Sequence, residues 1–440
     1  MWKCSPNAKI IKLAKKVVVY NSIIGGAFAL SNNALDYLSV DEKKEKVIEI
    51  NGNAPQTLID TFNKHGLLRD GLSDERILEE KLDKYYENVT SGDLISNIRL
   101  TLTKACNCRC FYCFVDKDEC TPPLTFEECI SFIDKIISAT QKQEYNVRFF
   151  GGEPTLEFPL IERVVTYLIN QYKSIKFSFL LNTNAQYITD GMRFFLKKHN
   201  FKTVISLDSS KEQNDTERIS LINDSYYDAT IKQIQKFVKD EMHFVVGAVV
   251  TNNNVPELLT FLETMNKIGV QSVGINHAKM VDNCVANLDE AFADRVIEAY
   301  KFGVKNNMHI SGYWFLPFNR LLQGTQIGFC GGLGHEFDLR PDRKVYTCVA
   351  SPVSIGSISD DFISLINNCE YKSIAKRVAP QISCCNGCEI EGMCSGDCAW
   401  DAHFENGTIY SVNQRACKFQ KYITRELIKY VFDDNENDLT

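Results

Sequence analysis

The stretch that decides the fold is "NIRLTLTKACNCRCFYC", residues 97–113. "NIRLTLT" is a β-strand candidate, and four cysteines fall within the eight positions that follow Ala105. Downstream, short β-like runs alternate with helical ones. The strand candidates are "NVRFF", "KFSFLLN", "TVISLD", "HFVVGAVVT" and "QSVGIN". Between and after them lie helical patterns such as "TFEECISFIDKIISAT", "PLIERVVTYLINQY", "GMRFFLKKH", "YYDATIKQIQKFVKD" and "ELLTFLETMNKI". This alternation predicts an α/β fold with a parallel sheet. Six units are too few for an eight-stranded barrel, so a partial (β/α)6 TIM-like barrel is expected. Such sheets bind ligands at the carboxyl ends of their strands, and the cysteine loop stands at one of those ends.

The wider composition narrows the class. With 440 residues, 44% hydrophobic and 24% charged, the chain has enough apolar content for sizeable cores. The net charge is −7 and no basic stripe with interleaved aromatics occurs, so no nucleic-acid partner is expected. Mixed-sign runs such as "DEKKEKVIE" read as solvated surface. No apolar run is long enough for a bilayer, so no membrane partner is expected. The basic-then-apolar N-terminus is interrupted at Tyr20, Asn21 and Ser22, and no small-residue cleavage site follows. Seventeen cysteines in two tight groups suit metal or iron–sulfur ligation in a reducing cytoplasm better than a disulfide framework.

Cys106, Cys110 and Cys113 are spaced C-x3-C-x2-C. Three thiolates at this spacing hold three irons of a [4Fe–4S] cluster and leave the fourth iron open to a chelating ligand. A zinc or redox site is the alternative, and it needs a fourth partner. Cys108 is the spare thiol. The next strand candidate runs into Gly151, Gly152, Glu153 and Pro154, at the same end of the sheet. Glycines there let backbone carbonyls approach a ligand closely.

With these motifs in place, the sequence resembles the radical S-adenosylmethionine (SAM) enzymes. "CNCRCFYC" matches their CxxxCxxC loop and "GGEP" their SAM amino-group motif. "LLNTNA" and "SLDSS" continue the match at the third and fourth strands. The resemblance implies that the open iron chelates SAM, that one electron splits the S–C5′ bond, and that a 5′-deoxyadenosyl radical abstracts hydrogen from a substrate. It implies that Gly151, Gly152, Glu153 and Pro154 meet the SAM ammonium and that Tyr112 lies near the adenine. Asn182, Ser206 and Asp208 would face SAM from strand ends, and Arg218 would be a carboxylate partner. An electron donor of flavodoxin or ferredoxin type is implied as well. Ala185 and Ser209 depart from the glycines common in the family.

A second group, "CNGCEIEGMCSGDC", reads C-x2-C-x5-C-x3-C from Cys385, Cys388, Cys394 and Cys398. Cys417 follows it, and Cys330 and Cys348 precede it. A two-zinc module is the alternative reading. The pattern resembles the SPASM domain, which holds two auxiliary [4Fe–4S] clusters. The resemblance implies that Cys385, Cys388, Cys394 and Cys417 ligate one cluster, and that Cys330, Cys348 and Cys398 hold the other. Arg343 replaces the usual glycine before the second cysteine. Glu336 stands where some relatives carry a fourth cysteine, which makes His335, Glu336 and Cys384 candidates for the last iron. Cys4, Cys120, Cys129, Cys284 and Cys369 lack ligand spacing and read as free thiols.

The expected domains are 1–90, a small α+β unit; 95–300, the radical SAM core; and 325–425, the SPASM region. In the first, "KVVVYN" and "GGAFALS" are apolar runs, "NNALDYL" and "APQTLIDTFNKHG" are helix-like with Gly66 as a stop, and "DERILEEKLDKYYEN" is a charged helix. Two strands, two helices and "HGLLRD" resemble the leader-recognition element of peptide-maturing enzymes, which docks a peptide as an added strand. The expected function is therefore maturation of a ribosomally made precursor peptide, by hydrogen abstraction and then a thioether or carbon–carbon crosslink. The alternatives are anaerobic sulfatase maturation to formylglycine and a non-catalytic metal-holding peptide scaffold.

Overall fold

The computed structural model describes residues 1–69, 73–115, 120–278 and 286–433. Cys284 and the Asp70 that ends "HGLLRD" lie outside them. The six expected strands are all present: β1 (Asn97–Thr101), β2 (Glu144–Phe150), β3 (Lys176–Thr183), β4 (Lys202–Ser206), β5 (Phe244–Val250) and β6 (Ser272–His277). Each pairs in parallel with the next. The sheet extends past both edges of this set. The short strand β7 (His309–Ser311) adds in parallel beside β6. On the other side β8 (Glu336–Leu339) runs parallel to β1 and leads into an antiparallel pair, Lys344–Tyr346 and Gly356–Ser357. Part of the cysteine-rich region is thus woven into the central sheet.

Period-two alternation explains how the strands sit. In β2, Tyr145, Val147 and Phe149 are buried, and Asn146, Arg148 and Phe150 take the opposite face. The buried set joins one apolar core with the inner faces of helices α1 (Phe126–Thr140) and α2 (Phe158–Gln171), through residues such as Phe132, Ile133, Ile161 and Val165. The other face is left for the site. Helix α1 starts on a capping box: the Thr125 side chain accepts from the Glu128 N–H, and the Glu128 carboxylate accepts from the Thr125 N–H.

The N-terminal unit corrects the expectation. It is a six-stranded antiparallel sheet with the path Trp2–Lys3, Lys46–Ile50, Ala8–Lys12, Lys16–Asn21, Ala27–Ser31, and with Leu38–Asp41 also paired to Lys46–Ile50. "NNALDYL" gives a six-residue 3-10 turn, Asn32–Tyr37, with no fully buried residue; Leu35 and Tyr37 pack part-buried against the small core. The charged run "DEKKEKVIE" supplies a hairpin turn and then a strand with Val47 and Ile50 buried. The helix Gln56–Lys64 covers one face of the sheet through Leu58, Ile59 and Phe62, and Ile11, Val18 and Tyr20 on the other face join the main core. The pattern of two strands and two helices behind the leader-recognition resemblance is therefore not the observed one.

Asp74 ties this unit to the long helix Ser73–Ser91. Its Oδ2 accepts from the Ser5 hydroxyl, from Asn7 Nδ2 at 2.9 Å and from Asn21 Nδ2 at 3.2 Å, all buried. Asp74→Ala leaves the buried Ser5 and Asn7 donors without their acceptor and Asn21 Nδ2 with Gly66 O alone. Urea unfolding of this variant is expected to show a loss of about 3 kcal/mol. A change below about 1 kcal/mol would contradict the hub. No described helix is long and apolar enough to cross a membrane.

Candidate active site

Two loops at the carboxyl ends of β1 and β2 are zipped together. Gly152 N–H donates to Thr103 O at 2.8 Å and Glu153 N–H to Ala105 O at 2.9 Å. The approach is close enough to exclude side chains. A Cβ on Gly151 would stand 2.6 Å from Thr103 O, and one on Gly152 would stand 2.2 Å from Ala105 O. The "GGEP" string is thus the mate of the cysteine loop, which its sequence position alone did not state.

The cysteine loop is itself a ribbon. Cys108–Cys110 pairs antiparallel with Arg218–Ser220, with Cys110 opposite Arg218 and Cys108 opposite Ser220. Cys106, Cys110 and Cys113 rim one cavity of about 310 Å³ together with Gly151, Gly152 and Glu153. Tyr112, Asn182, Ser206 and Arg218 line the same cavity. Pro154 is buried and starts the 3-10 turn behind it. Cys108 also borders the cavity but is fully buried.

Two residues sit differently from expectation. Asp208 does not line the cavity. Its buried carboxylate accepts from Arg218 Nε at 2.6 Å, Arg218 Nη2 at 2.9 Å, the Val249 N–H at 2.8 Å and the Tyr112 hydroxyl. The carboxylate that Arg218 grips is therefore Asp208 of this same chain. Glu153 is equally committed. Its oxygens accept from Thr155 N–H at 3.0 Å, Thr155 Oγ1 at 2.6 Å, Thr183 Oγ1 at 2.8 Å and Asn184 N–H at 2.7 Å. Burial pushes its carboxyl up from the usual range, and these bonds pull it back. Glu153 thus fixes the turn after β3.

The sequence reading missed Asn184 and Asn107. Asn184 Nδ2 donates to Asn107 Oδ1 at 2.7 Å and to Cys108 Sγ at 3.3 Å, and lies 3.8 Å from Cys106 Sγ. Asn107 Nδ2 is buried without a hydrogen-bond partner. Three thiols on the rim of one cavity, beside a glycine loop that leaves room for a ligand, fit an iron–sulfur cluster. Among the described residues no group of three or more His, Cys, Asp or Glu side chains is arranged around a single metal position.

The second cysteine group falls into neighbourhoods. Cys394 is buried, and Cys385, Cys388 and Cys417 lie close enough to act on its charge; burial pushes its thiol well up. Cys330 and Cys348 face each other across Gly332, whose Cβ would stand 3.6 and 3.3 Å from their sulfurs. Cys398 faces the Arg377 guanidinium with Asp397 and Cys385. Burial raises the Cys348 and Cys385 thiols to about 12, so a metal binding there displaces protons. Glu336 is occupied: its carboxylate meets Arg99 at 2.9 Å and Arg148 at 3.2 Å. His335 is turned toward Tyr85, ring to ring at 6.1 Å, and Cys384 is exposed. Cys4 and Cys129 are buried, and Cys120 and Cys369 exposed.

Two of the three departures from family glycines coincide with left-handed backbone. Ala185 has φ +55° and Arg343 φ +62°, while Ser209 is not among the positive-φ residues. The loop shapes are kept at a cost of about 1–2 kcal/mol each. Arg343 offsets this through Nε on Glu128 Oε1 at 2.9 Å and Nη2 on Pro123 O at 3.1 Å.

The comparisons with known proteins agree with this geometry. Residues 100–265 match the family model of the radical SAM superfamily. The chain carries a radical SAM domain at these residues and is an enzyme. It is 24% identical to the radical SAM cyclopropyl synthase TigE of Paramaledivibacter caminithermalis, over 93% of this chain and 92% of the relative. It is also 24% identical to a cysteine-type anaerobic sulfatase-maturating enzyme of Clostridium novyi, over 73% of this chain and 93% of that protein. Among solved structures, anSMEcpe with bound AdoMet superposes with a TM-score of 0.66 at 19% identity, over 77% of this chain and 100% of that one. Streptococcus suis SuiB bound to precursor peptide SuiA superposes with a TM-score of 0.58 at 12% identity, over 94% of this chain and 99% of that one. The superfamily's use of a [4Fe–4S] cluster and SAM comes with the domain.

Proposed function

We propose that this enzyme matures a ribosomally made precursor peptide, abstracting hydrogen from one of its residues and closing a carbon–carbon or thioether bond. The observation that carries the reading is the single cavity in which Cys106, Cys110 and Cys113 meet the Gly151–Gly152–Glu153 loop. Bound there, a [4Fe–4S] cluster and SAM supply one-electron cleavage of a sulfonium carbon–sulfur bond and, from it, hydrogen-atom abstraction. The chain's own residues prepare this. The glycine loop offers carbonyls to the SAM ammonium, held in place by the Glu153 bonds to Thr183 and Asn184. Tyr112, anchored by Asp208, presents its ring toward the adenine, and Asn182 and Ser206 contribute polar groups from the ends of β3 and β4.

Two auxiliary clusters belong to the same reading, one on Cys385, Cys388, Cys394 and Cys417, the other on Cys330, Cys348 and Cys398. The mutual proximity of the first four thiols and the facing of Cys330 and Cys348 support it. The domain division 1–90, 95–300 and 325–425 is retained as part of the proposal. In it, Ala27–Ser31, an edge of the N-terminal sheet, takes the leader of the peptide as an added strand. The near-full-length similarity to a cyclopropyl synthase favours carbon–carbon bond formation. Sulfatase maturation is the second reading, favoured by the likeness to the Clostridium novyi enzyme. The proposed electron donor is a flavodoxin or ferredoxin, and the proposed location is the cytoplasm.

The test is to co-express the enzyme with short peptides encoded beside its gene and weigh them. Loss of 2 Da per turnover, with one 5′-deoxyadenosine formed per modification, is expected for a new crosslink or ring. Formylglycine on a sulfatase peptide, with every small precursor unchanged, would overturn the proposal in favour of the second reading.

A further inference from the structure

The family resemblance gives Arg218 to a SAM carboxylate, yet its geometry serves something else. Nε and Nη2 are both spent on Asp208, at 2.6 and 2.9 Å, in a fork-to-fork pair. The residue is 6% exposed, and its guanidinium lies 5.2 Å from the centre of the Tyr112 ring and 5.6 Å from that of Tyr226. These contacts leave it one orientation. In that orientation Nη1 points at Cys110 Sγ, 3.7 Å away, within reach of an N–H···S bond. The strand pairing fixes the same alignment, because Arg218 is the register partner of Cys110.

We infer that Arg218, locked by Asp208, is a positioning residue that donates a charge-assisted hydrogen bond to the Cys110 thiolate and thereby raises the reduction potential of the cluster held by Cys106, Cys110 and Cys113. Hydrogen bonds to the cysteine sulfurs and the local charge are the means by which a protein sets such a potential. Reduction adds negative charge to the cluster, and a cationic N–H on one of its sulfurs favours the reduced form. The site is buried, so the effect is little screened. Asn184 Nδ2, at 3.3 Å from Cys108 Sγ and 3.8 Å from Cys106 Sγ, supplies a neutral donor on the other side of the loop. Arg218 is the only arginine or lysine that lines the cavity among the described residues. The inference rests on the proposed cluster at this loop.

The experiment is an EPR-monitored redox titration of the anaerobically reconstituted full chain, without SAM, on wild type, Arg218→Gln and Arg218→Lys. The component to follow is the one that disappears in the Cys106→Ala/Cys110→Ala/Cys113→Ala variant. In Arg218→Gln its potential is expected to fall about tenfold in the reduction equilibrium, or about 59 mV for one electron. In Arg218→Lys, which keeps the charge but not the fork, a smaller fall is expected. If Arg218→Gln keeps the wild-type potential and only binds SAM more weakly, Arg218 is a SAM partner and the inference is overturned. Should Arg218→Gln not retain iron, Arg218→Lys decides: a downward shift supports the inference and an unchanged potential overturns it. Loss of the three cysteines with no component disappearing sinks the proposed cluster itself, a separate failure.

Discussion

Replacing any one of Cys106, Cys110 and Cys113 by alanine is expected to abolish 5′-deoxyadenosine formation, while Cys108→Ala leaves it within about threefold of wild type. All four thiols border one cavity, so proximity alone does not separate them. The ribbon does. Cys108 is fully buried opposite Ser220, and its sulfur already accepts the Asn184 amide, whereas Cys106, Cys110 and Cys113 are partly accessible on the rim. Removing a rim thiolate takes away one of three cluster ligands. Removing Cys108 takes away the weak N–H···S contact from Asn184, the weak S–H···O contact to Asn107 and a small buried group, a cost of about 1–2 kcal/mol. The measurement is chromatographic quantification of 5′-deoxyadenosine from dithionite-reduced protein with SAM, together with iron content. Each rim variant should also lose about four irons per chain. Equal loss of activity in Cys108→Ala would show that the ligand set is misassigned.

The second large effect is expected at Gly152. Its Cα faces the carbonyls of Ala105 and Lys104, and an added Cβ would stand 2.2 and 2.6 Å from those oxygens. Neither neighbour is a flexible side-chain end, so relief requires the two backbones to part. Parting them breaks the bonds from Gly152 N–H to Thr103 O and from Glu153 N–H to Ala105 O that hold the two loops in register. Gly152→Ala should therefore lose at least 100-fold in SAM cleavage and retain less iron, with global stability lowered by about 1–3 kcal/mol. Gly191→Ala is the control. Its Cβ meets nothing closer than 3.8 Å, and it lies in the helix Asp190–Lys198, where alanine is the better residue. Wild-type iron and turnover in Gly152→Ala would show that the loop contact does not build the site.

The first effect turns on the ribbon of Cys108–Cys110 with Arg218–Ser220 and the second on the contact of Gly152 with Lys104 and Ala105, and both mark where sequence reading stops. The C-x3-C-x2-C spacing and the GGEP string were legible as separate motifs because their chemistry depends on residue type. That Glu153 faces its own turn, and that Asp208 answers Arg218 and Tyr112, was not legible. An acidic residue at a strand end looks the same whether its carboxylate meets a ligand or four donors of its own chain. Asn184 and Asn107 carried no motif signal, and only their convergence on the cysteine sulfurs marks them.

The N-terminal unit shows the opposite error. Local apolar spacing in "NNALDYL" read as helix, yet the segment lies between two strands and is too short to propagate an α-helix, so it closes as a 3-10 turn. The charged "DEKKEKVIE" read as solvated surface, yet its end alternates buried and exposed residues once a partner strand lies beside it.

By itself the sequence determined the alternation of strands and helices, the parallel sheet and the two clusters of thiols, since periodicity and side-chain chemistry are properties of the chain. The tertiary structure alone decided which carboxylates are already satisfied and which cation lies beside a sulfur. Those outcomes depend on how residues distant in sequence share a buried space, where every donor and acceptor must find a partner.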